Sequence, residues 1–297
     1  MARFGAVLTA MITPFDERGE VDFDEVAALA RWLVDNGNQG LVVAGTTGES
    51  PTLSHDEQGR LFQVVRDAVS VPVIAGVGSN NTAESLDLIE RAEAAGVDGL
   101  LIVTPYYNRP SQAGLLRHFT TLAETSSLPV MLYDIPVRTG RKIDTATLLE
   151  LAHGVPNIVA LKDAAGDPSE TASFIARAPS GFEVYSGDDS LTLPFLSVGA
   201  VGVVGVATHW CAADMVDMVE SFAKGDVERA RLLNARMIPS YDFETGLVAP
   251  NPVPTKALLR AIGRKVGECR PPMGPTPEGL QDKALQVLAD LEAARRA

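Results

Sequence analysis

Lys162 closes the run Ile158-Val159-Ala160-Leu161-Lys162-Asp163-Ala164 and is the one lysine of six placed at the end of an apolar, β-prone stretch. Lys142, Lys224, Lys256, Lys265 and Lys283 fall in loops, at a helix end or on helical segments, where an ammonium stays hydrated. If 158–163 is a strand, alternation puts Ile158, Ala160 and Lys162 on one face and gives the amine apolar neighbours. Burial disfavours the charged form of lysine, and the free amine can attack a ketone to form an imine. Taken alone, the residue also fits an ion pair with Asp163 or a side chain that snorkels to a rim.

Other residues able to do chemistry come in short polar groups. Gly45-Thr46-Thr47-Gly48-Glu49-Ser50 combines tight-turn glycines with backbone N–H groups that can hold an anion, although Ser and Thr between glycines also make ordinary turns and caps. Thr104-Pro105-Tyr106-Tyr107-Asn108-Arg109-Pro110 places two of only five tyrosines together, either as a functional pair or as packing. Tyr133 precedes Asp134-Ile135-Pro136-Val137-Arg138-Thr139-Gly140, and alternation sets it on the same face as Met131. A buried phenol near an amine is a candidate proton carrier, and the Arg138 guanidinium has the shape to grip a carboxylate. Ser186-Gly187-Asp188-Asp189 and Gly202-Val203-Val204-Gly205 complete the set.

The elements that must position these groups follow from periodicity. Strands are expected near 6–12, 40–45, 72–77, 99–104, 129–134, 158–163, 182–186 and 202–207. Helical patterns alternate with them, from Asp22 to Asn36, His55 to Val69, Thr82 to Ala95, Gln112 to Thr125, Thr145 to His153, Ser169 to Ala178, Ser190 to Val198 and Ala212 to Lys224. Eight strand–helix pairs predict an α/β chain of the (β/α)8 type, with a doubly wound sheet as the alternative. Three more helices, near Val227 to Phe243, Val253 to Ile262 and Pro277 to Arg296, form a C-terminal three-helix appendage. The expected division is a barrel over 1–224 and a helical domain over 225–297. Such barrels work at the C-terminal ends of their strands, and the polar groups above all map to that rim.

Composition narrows the functional classes. The chain has 46% hydrophobic and 21% charged residues and lacks an apolar run long enough to cross a bilayer. Its start reads as a first strand rather than a signal peptide, so a cytoplasmic protein is expected. Cys211 and Cys269 lack metal-ligand or disulfide spacing, so reduced thiols and no metal are expected. A formal charge of −13 argues against sequence-independent nucleic-acid binding, which needs lysines and arginines against phosphates.

Gly45-Thr46-Thr47-Gly48-Glu49, Tyr133-Asp134-Ile135-Pro136 and the sixth-strand Lys162 resemble the signatures of the N-acetylneuraminate lyase superfamily, the pyruvate-dependent aldolases that work through a lysine Schiff base. Within it, the 104–110 loop with Arg138-Thr139-Gly140 is similar to the dihydrodipicolinate synthase branch, and Asn251-Pro252-Val253-Pro254-Thr255-Lys256 extends the likeness into the appendage.

The resemblance implies that Lys162 forms an imine with pyruvate, whose enamine attacks L-aspartate 4-semialdehyde, and that no cofactor is needed. It implies a proton relay through Tyr133, Thr47 and Tyr107, with Tyr107 reaching into a neighbouring subunit of a dimer, and a homotetramer built from two dimers. Thr46 and Thr47 would hold the pyruvate carboxylate, with Val204 and Gly187 beside the substrates and Arg138 on the carboxylate of the aldehyde. The family's lysine-feedback site falls on Ser50, His55, Asn80, Glu84 and Tyr106. Here the chain departs from the pattern, with Gln58 where feedback-sensitive members often carry a basic residue or histidine and Pro51 for a common alanine. Lys162-Asp163-Ala164-Ala165-Gly166 also departs from the Glu that usually follows the lysine. A sister aldolase acting on a sugar acid or on hydroxy-oxoglutarate shares the lysine and tyrosine but generally lacks the Arg138 context. From other classes, a phosphate-binding barrel isomerase and a non-catalytic effector-binding homologue remain as alternatives.

Overall fold

A computed structural model describes residues 2–246 and 248–296. Strands β1 (Val7–Ala10), β2 (Gly40–Val43), β3 (Val73–Gly76), β4 (Gly99–Val103), β5 (Val130–Asp134), β6 (Ile158–Asp163), β7 (Glu183–Ser186) and β8 (Gly202–Gly205) pair in parallel, in chain order, and β8 closes on β1. Their residues are almost all buried, as expected for parallel strands covered on both faces. The helices between them are α1 (Phe23–Asp35), α2 (His55–Ala68), α3 (Thr82–Ala94), α4 (Gln112–Glu124), α5 (Pro136–Thr139), α6 (Thr145–Gly154), α7 (Pro168–Ile175) and α8 (Thr192–Ser197). After β8 come α9 (Thr208–Ala223), α10 (Val227–Glu244), α11 (Val253–Ala261) and α12 (Leu280–Arg296). The chain is therefore a (β/α)8 barrel with a C-terminal helical part.

Side chains sort into three cores. Leu8, Val42, Ile74, Leu101, Met131, Tyr133, Ala160, Tyr185 and Val204 fill the barrel. Val43, Val73, Leu132, Leu161 and Val184 face outward to Leu29, Phe62, Phe119 and Phe174 on the surrounding helices. Trp210, Met215, Met237, Tyr241, Leu258 and Leu291 join α9 to the last three helices. Among the described residues no helix is long and apolar enough to cross a membrane.

The structure differs from the expected pattern in four places. The helix expected from Ser190 begins as a 3₁₀ turn over Asp189–Leu191, because Asp188 Oδ1 accepts from Ser190 N and Asp189 Oδ2 from Val206 N; only 192–197 is α-helical. The helix expected from Ala212 starts earlier, at Thr208, across a break at Cys211 (φ −119°). Arg138 lies on a one-turn helix, α5, where only a loop was expected, ended by Gly140 at φ +69°. The fourth lies in β6. Val130 pairs with Ile158 and Met131 with Ala160, so Val159 is an extra residue, and Ile158 packs outward with Leu161 while Ala160 faces the barrel interior. Strict alternation had put Ile158 on the lysine's face; the bulge resets the phase after it.

Candidate active site

Lys162 and Tyr133 are neighbours across β5 and β6, with Tyr185 on the next strand. All three point into the barrel, and Lys162 is 5% exposed. Its Nζ lies 4.3 Å from the centroid of the Tyr133 ring. Burial lowers its pKa to about 8; the charges of Asp189 and Glu244 pull upward, and that of Arg138 downward. Asp163 is not its partner. That carboxylate points outward and accepts from Thr171 Oγ1 at 2.6 Å and Ala165 N at 2.9 Å. The ion-pair and snorkelling readings of Lys162 therefore do not describe this side chain. The phenol of Tyr133 is pushed up to about 12 by burial, so it stays protonated at neutral pH.

Tyr133 also faces a cavity of about 200 Å³, lined with it by Gly45, Thr46, Ser50, Tyr106 and Arg138, among others. The 45–49 loop is held from both sides. Thr13 Oγ1 donates to Gly48 O at 2.6 Å, and a Cβ on Gly48 would sit 3.1 Å from both Met11 O and Ala44 Cα. The left-handed positions of this loop are Ala44 (φ +52°) and Glu49 (φ +58°) rather than its glycines, so Gly48 serves close approach.

The two threonines diverge. Thr46 lines the cavity together with Tyr133. Thr47 is buried and its Oγ1 accepts from Asn251 Nδ2 at 2.9 Å. Successive residues of a turn project in different directions, so Thr46 faces the cavity while Thr47, the expected relay hydroxyl, faces the Asn251 amide. Tyr107 is 90% exposed at φ +71° and does not line the cavity of its own chain. Its neighbour Tyr106 does.

Arg138 is exposed at the cavity mouth, where its Nη2 donates to Asn251 O at 3.3 Å. Gly187 packs against the lysine stem: a Cβ there would meet Lys162 Cγ at 3.1 Å and Ala164 Cβ at 2.9 Å. Val204 is a fully buried member of the barrel interior.

The residues matching the feedback site divide. Ser50 and Tyr106 reach the cavity wall, whereas His55 Nδ1 meets Asp87 Oδ2 at 2.6 Å. Glu84 accepts from Ser79 Oγ and Asn81 Nδ2, and Asn80 O accepts from Asn108 Nδ2.

Two residues near the site were missed from sequence. Lys256, grouped there with hydrated lysines, is fully buried, with its Nζ 2.6 Å from Glu49 Oε1. Asn251 touches Thr47 and Arg138. The only signal for either was the Asn-Pro-Val-Pro-Thr-Lys run, which shows a helix start but not its target. Among the described residues no group of three or more His, Cys, Asp or Glu side chains could hold a metal ion.

Residues 3–292 match the model of the dihydrodipicolinate synthetase family. The chain belongs to that family. It is 49% identical over 277 residues to the 4-hydroxy-tetrahydrodipicolinate synthase of Bacillus subtilis, spanning 93% of this chain and 95% of that one. A dihydrodipicolinate synthase structure from Cyanidioschyzon merolae with lysine bound is 40% identical, with a TM-score of 0.95 over 98% of this chain and 99% of that one. A chloride-inhibited family member from Acinetobacter baumannii, solved with pyruvate, is 32% identical with a TM-score of 0.92, covering 97% and 99%. Shared identity of this extent along the whole chain places this protein's barrel and its helical part within one family.

Proposed function

We propose that this chain is a 4-hydroxy-tetrahydrodipicolinate synthase, a lyase that joins pyruvate to L-aspartate 4-semialdehyde on the route to diaminopimelate and lysine. The observation that carries the reading is a lysine inside the barrel, with its amine over the Tyr133 ring and its pKa lowered by burial. Neutral Lys162 attacks the ketone carbon of pyruvate, and loss of water leaves the imine. Loss of a methyl proton gives the enamine, whose carbon forms the new bond to the aldehyde. The amine of the second substrate then closes the ring and displaces Lys162, so the enzyme is regenerated without a cofactor.

Each step moves a proton, and the protonated phenol of Tyr133 with the Thr46 hydroxyl supplies a neutral path for it. Thr46 and Thr47 are assigned to the pyruvate carboxylate, Val204 and Gly187 to the walls, and Arg138 to the carboxylate of the semialdehyde. Tyr107 is exposed and absent from the lining of its own cavity, which supports its service to a neighbouring chain; two such dimers are the assembly this reading assigns. A barrel over 1–224 and a helical domain over 225–297, in a cytoplasmic enzyme, complete the reading. Ser50, His55, Asn80, Glu84 and Tyr106 stand in this reading as the candidate lysine-effector site, with His55 paired to Asp87 and Glu84 to Ser79 within the chain.

Incubation with pyruvate and borohydride, followed by peptide mapping, tests the chemistry. A reduced pyruvate adduct on Lys162 is expected; none there would remove both the synthase and the sister-aldolase readings. Turnover of pyruvate with aspartate semialdehyde, set against cleavage of keto-acid sugars, separates those two.

A further inference from the structure

Asn251 stands outside the barrel strands and their loops, just before α11, yet it touches both groups assigned to substrate carboxylates. Its Nδ2 donates to Thr47 Oγ1 at 2.9 Å. Its backbone carbonyl accepts from Arg138 Nη2 at 3.3 Å. Its Oδ1 faces the Thr255 hydroxyl at 3.4 Å, so acceptor and donor ends of the amide have distinct neighbours. The segment that carries it is fastened to the same loop a second time. Lys256 Nζ meets Glu49 Oε1 at 2.6 Å and donates to Glu268 O at 3.1 Å, while Glu49 Oε2 accepts from Arg270 N at 2.9 Å. Lys256 and Glu49 are almost wholly buried. Thr47 lies two residues before Glu49, so the pair fixes the backbone from which the threonine projects.

We infer that Asn251 is a positioning residue of the active site: through its amide it orients the Thr47 hydroxyl toward the pyruvate carboxylate. Through its main chain it seats Arg138 for the second carboxylate. A hydroxyl has one proton and two lone pairs. With the amide N–H on one lone pair, rotation of the Thr47 O–H is restricted, and its proton is left to be donated to an anion. An acid substrate is the ligand class this arrangement favours. The helical appendage then sets the spacing of the two subsites as well as packing on the barrel. This inference rests on the pyruvate reading above.

Asn251→Asp tests it, since the aspartate keeps the shape and the backbone carbonyl but removes the donor. The half-saturating pyruvate concentration for borohydride trapping is expected to rise about tenfold or more, with maximal trapping retained. Half-saturation by the semialdehyde should move far less, because Arg138 contacts the main chain. In a Thr47→Val background, Asn251→Asp should add no further loss. Asn251→Ala, judged by the same split after its unfolding transition is checked, replaces the aspartate if that variant is unstable. Pyruvate half-saturation equal to the parent, or losses that multiply in the double variant, would overturn the inference while leaving the synthase reading intact. A parent protein that traps no pyruvate would remove both.

Discussion

The ammonium of Lys256 lies 2.6 Å from Glu49 Oε1 and 3.9 Å from the centre of the Phe15 ring, and both members of the ion pair are sealed from solvent. Removing one partner strands the other charge in a low-dielectric site. Lys256→Met is therefore expected to cost about 3–5 kcal/mol, and Lys256→Met with Glu49→Gln about half of that or less, since no charge is then left unpaired. Urea unfolding of both variants measures this. A single variant within about 1 kcal/mol of the parent would mean that water reaches the pair.

The pH profile is expected to follow Lys162. Its folded-state pKa is lowered to about 8 by burial, and only the neutral amine is a nucleophile. The rate of imine formation at low pyruvate should rise about tenfold per pH unit well below that value and level off above it. Borohydride trapping rates across this range give the curve, and a flat profile below about pH 8 would show that the amine is neutral throughout.

The two threonines should fail in different ways. Thr46→Val removes the hydroxyl beside Tyr133 and is expected to lower kcat by about 10²-fold or more, with pyruvate still bound. Thr47→Val should act mainly on the half-saturating pyruvate concentration. Steady-state kinetics in both substrates separates these outcomes, and the reverse pattern would assign the relay to Thr47.

Arg138→Ala should raise the KM for aspartate semialdehyde by about 10–100-fold, the worth of a charge-assisted hydrogen bond or two, while pyruvate trapping changes little. Arg138→Lys should recover only part of the loss, because an ammonium lacks the planar fork. Equal loss in both substrates would show that the arginine serves the imine instead.

Asp134 carries a pH-dependent cost in stability. Burial raises its pKa from the ordinary 3.8 to about 7, despite Lys142 Nζ at 4.0 Å and the Ile143 N–H on Oδ1. Between those values the folded chain holds a proton that the unfolded chain has released, so stability falls as pH rises through this window and is level above it. Asp134→Asn, which can still accept from Ile143, should gain nothing near pH 4 and up to about 4 kcal/mol above pH 7. Unfolding midpoints of parent and variant across the range would expose a constant difference if the carboxyl stays ionised when folded.

The barrel was legible because parallel strands covered on both faces must be apolar runs, and their alternation with helices leaves few topologies. Lys162 was legible because an ammonium is costly at the end of such a run. The divergence of Thr46 and Thr47 was not: adjacent hydroxyls in a turn differ in direction, which no pattern of residue types encodes. Lys256 was hidden for a related reason. A short helix shows which positions share a stripe, but what covers the stripe is decided by the Glu49 loop more than 200 residues away in sequence. The bulge at Val159 is silent as well, since valine suits a regular strand as well as an irregular one.

Tyr107 holds a left-handed backbone that a bulky side chain adopts only at some cost, and its ring stands in solvent, outside the lining of the cavity. If that phenol completes a neighbour's site, catalytic output belongs to a reciprocal pair of chains. Specific activity would then depend on protein concentration, falling as dilution separates the pair, and an inactive Lys162 variant mixed with a Tyr107 variant would regain activity in the hybrid.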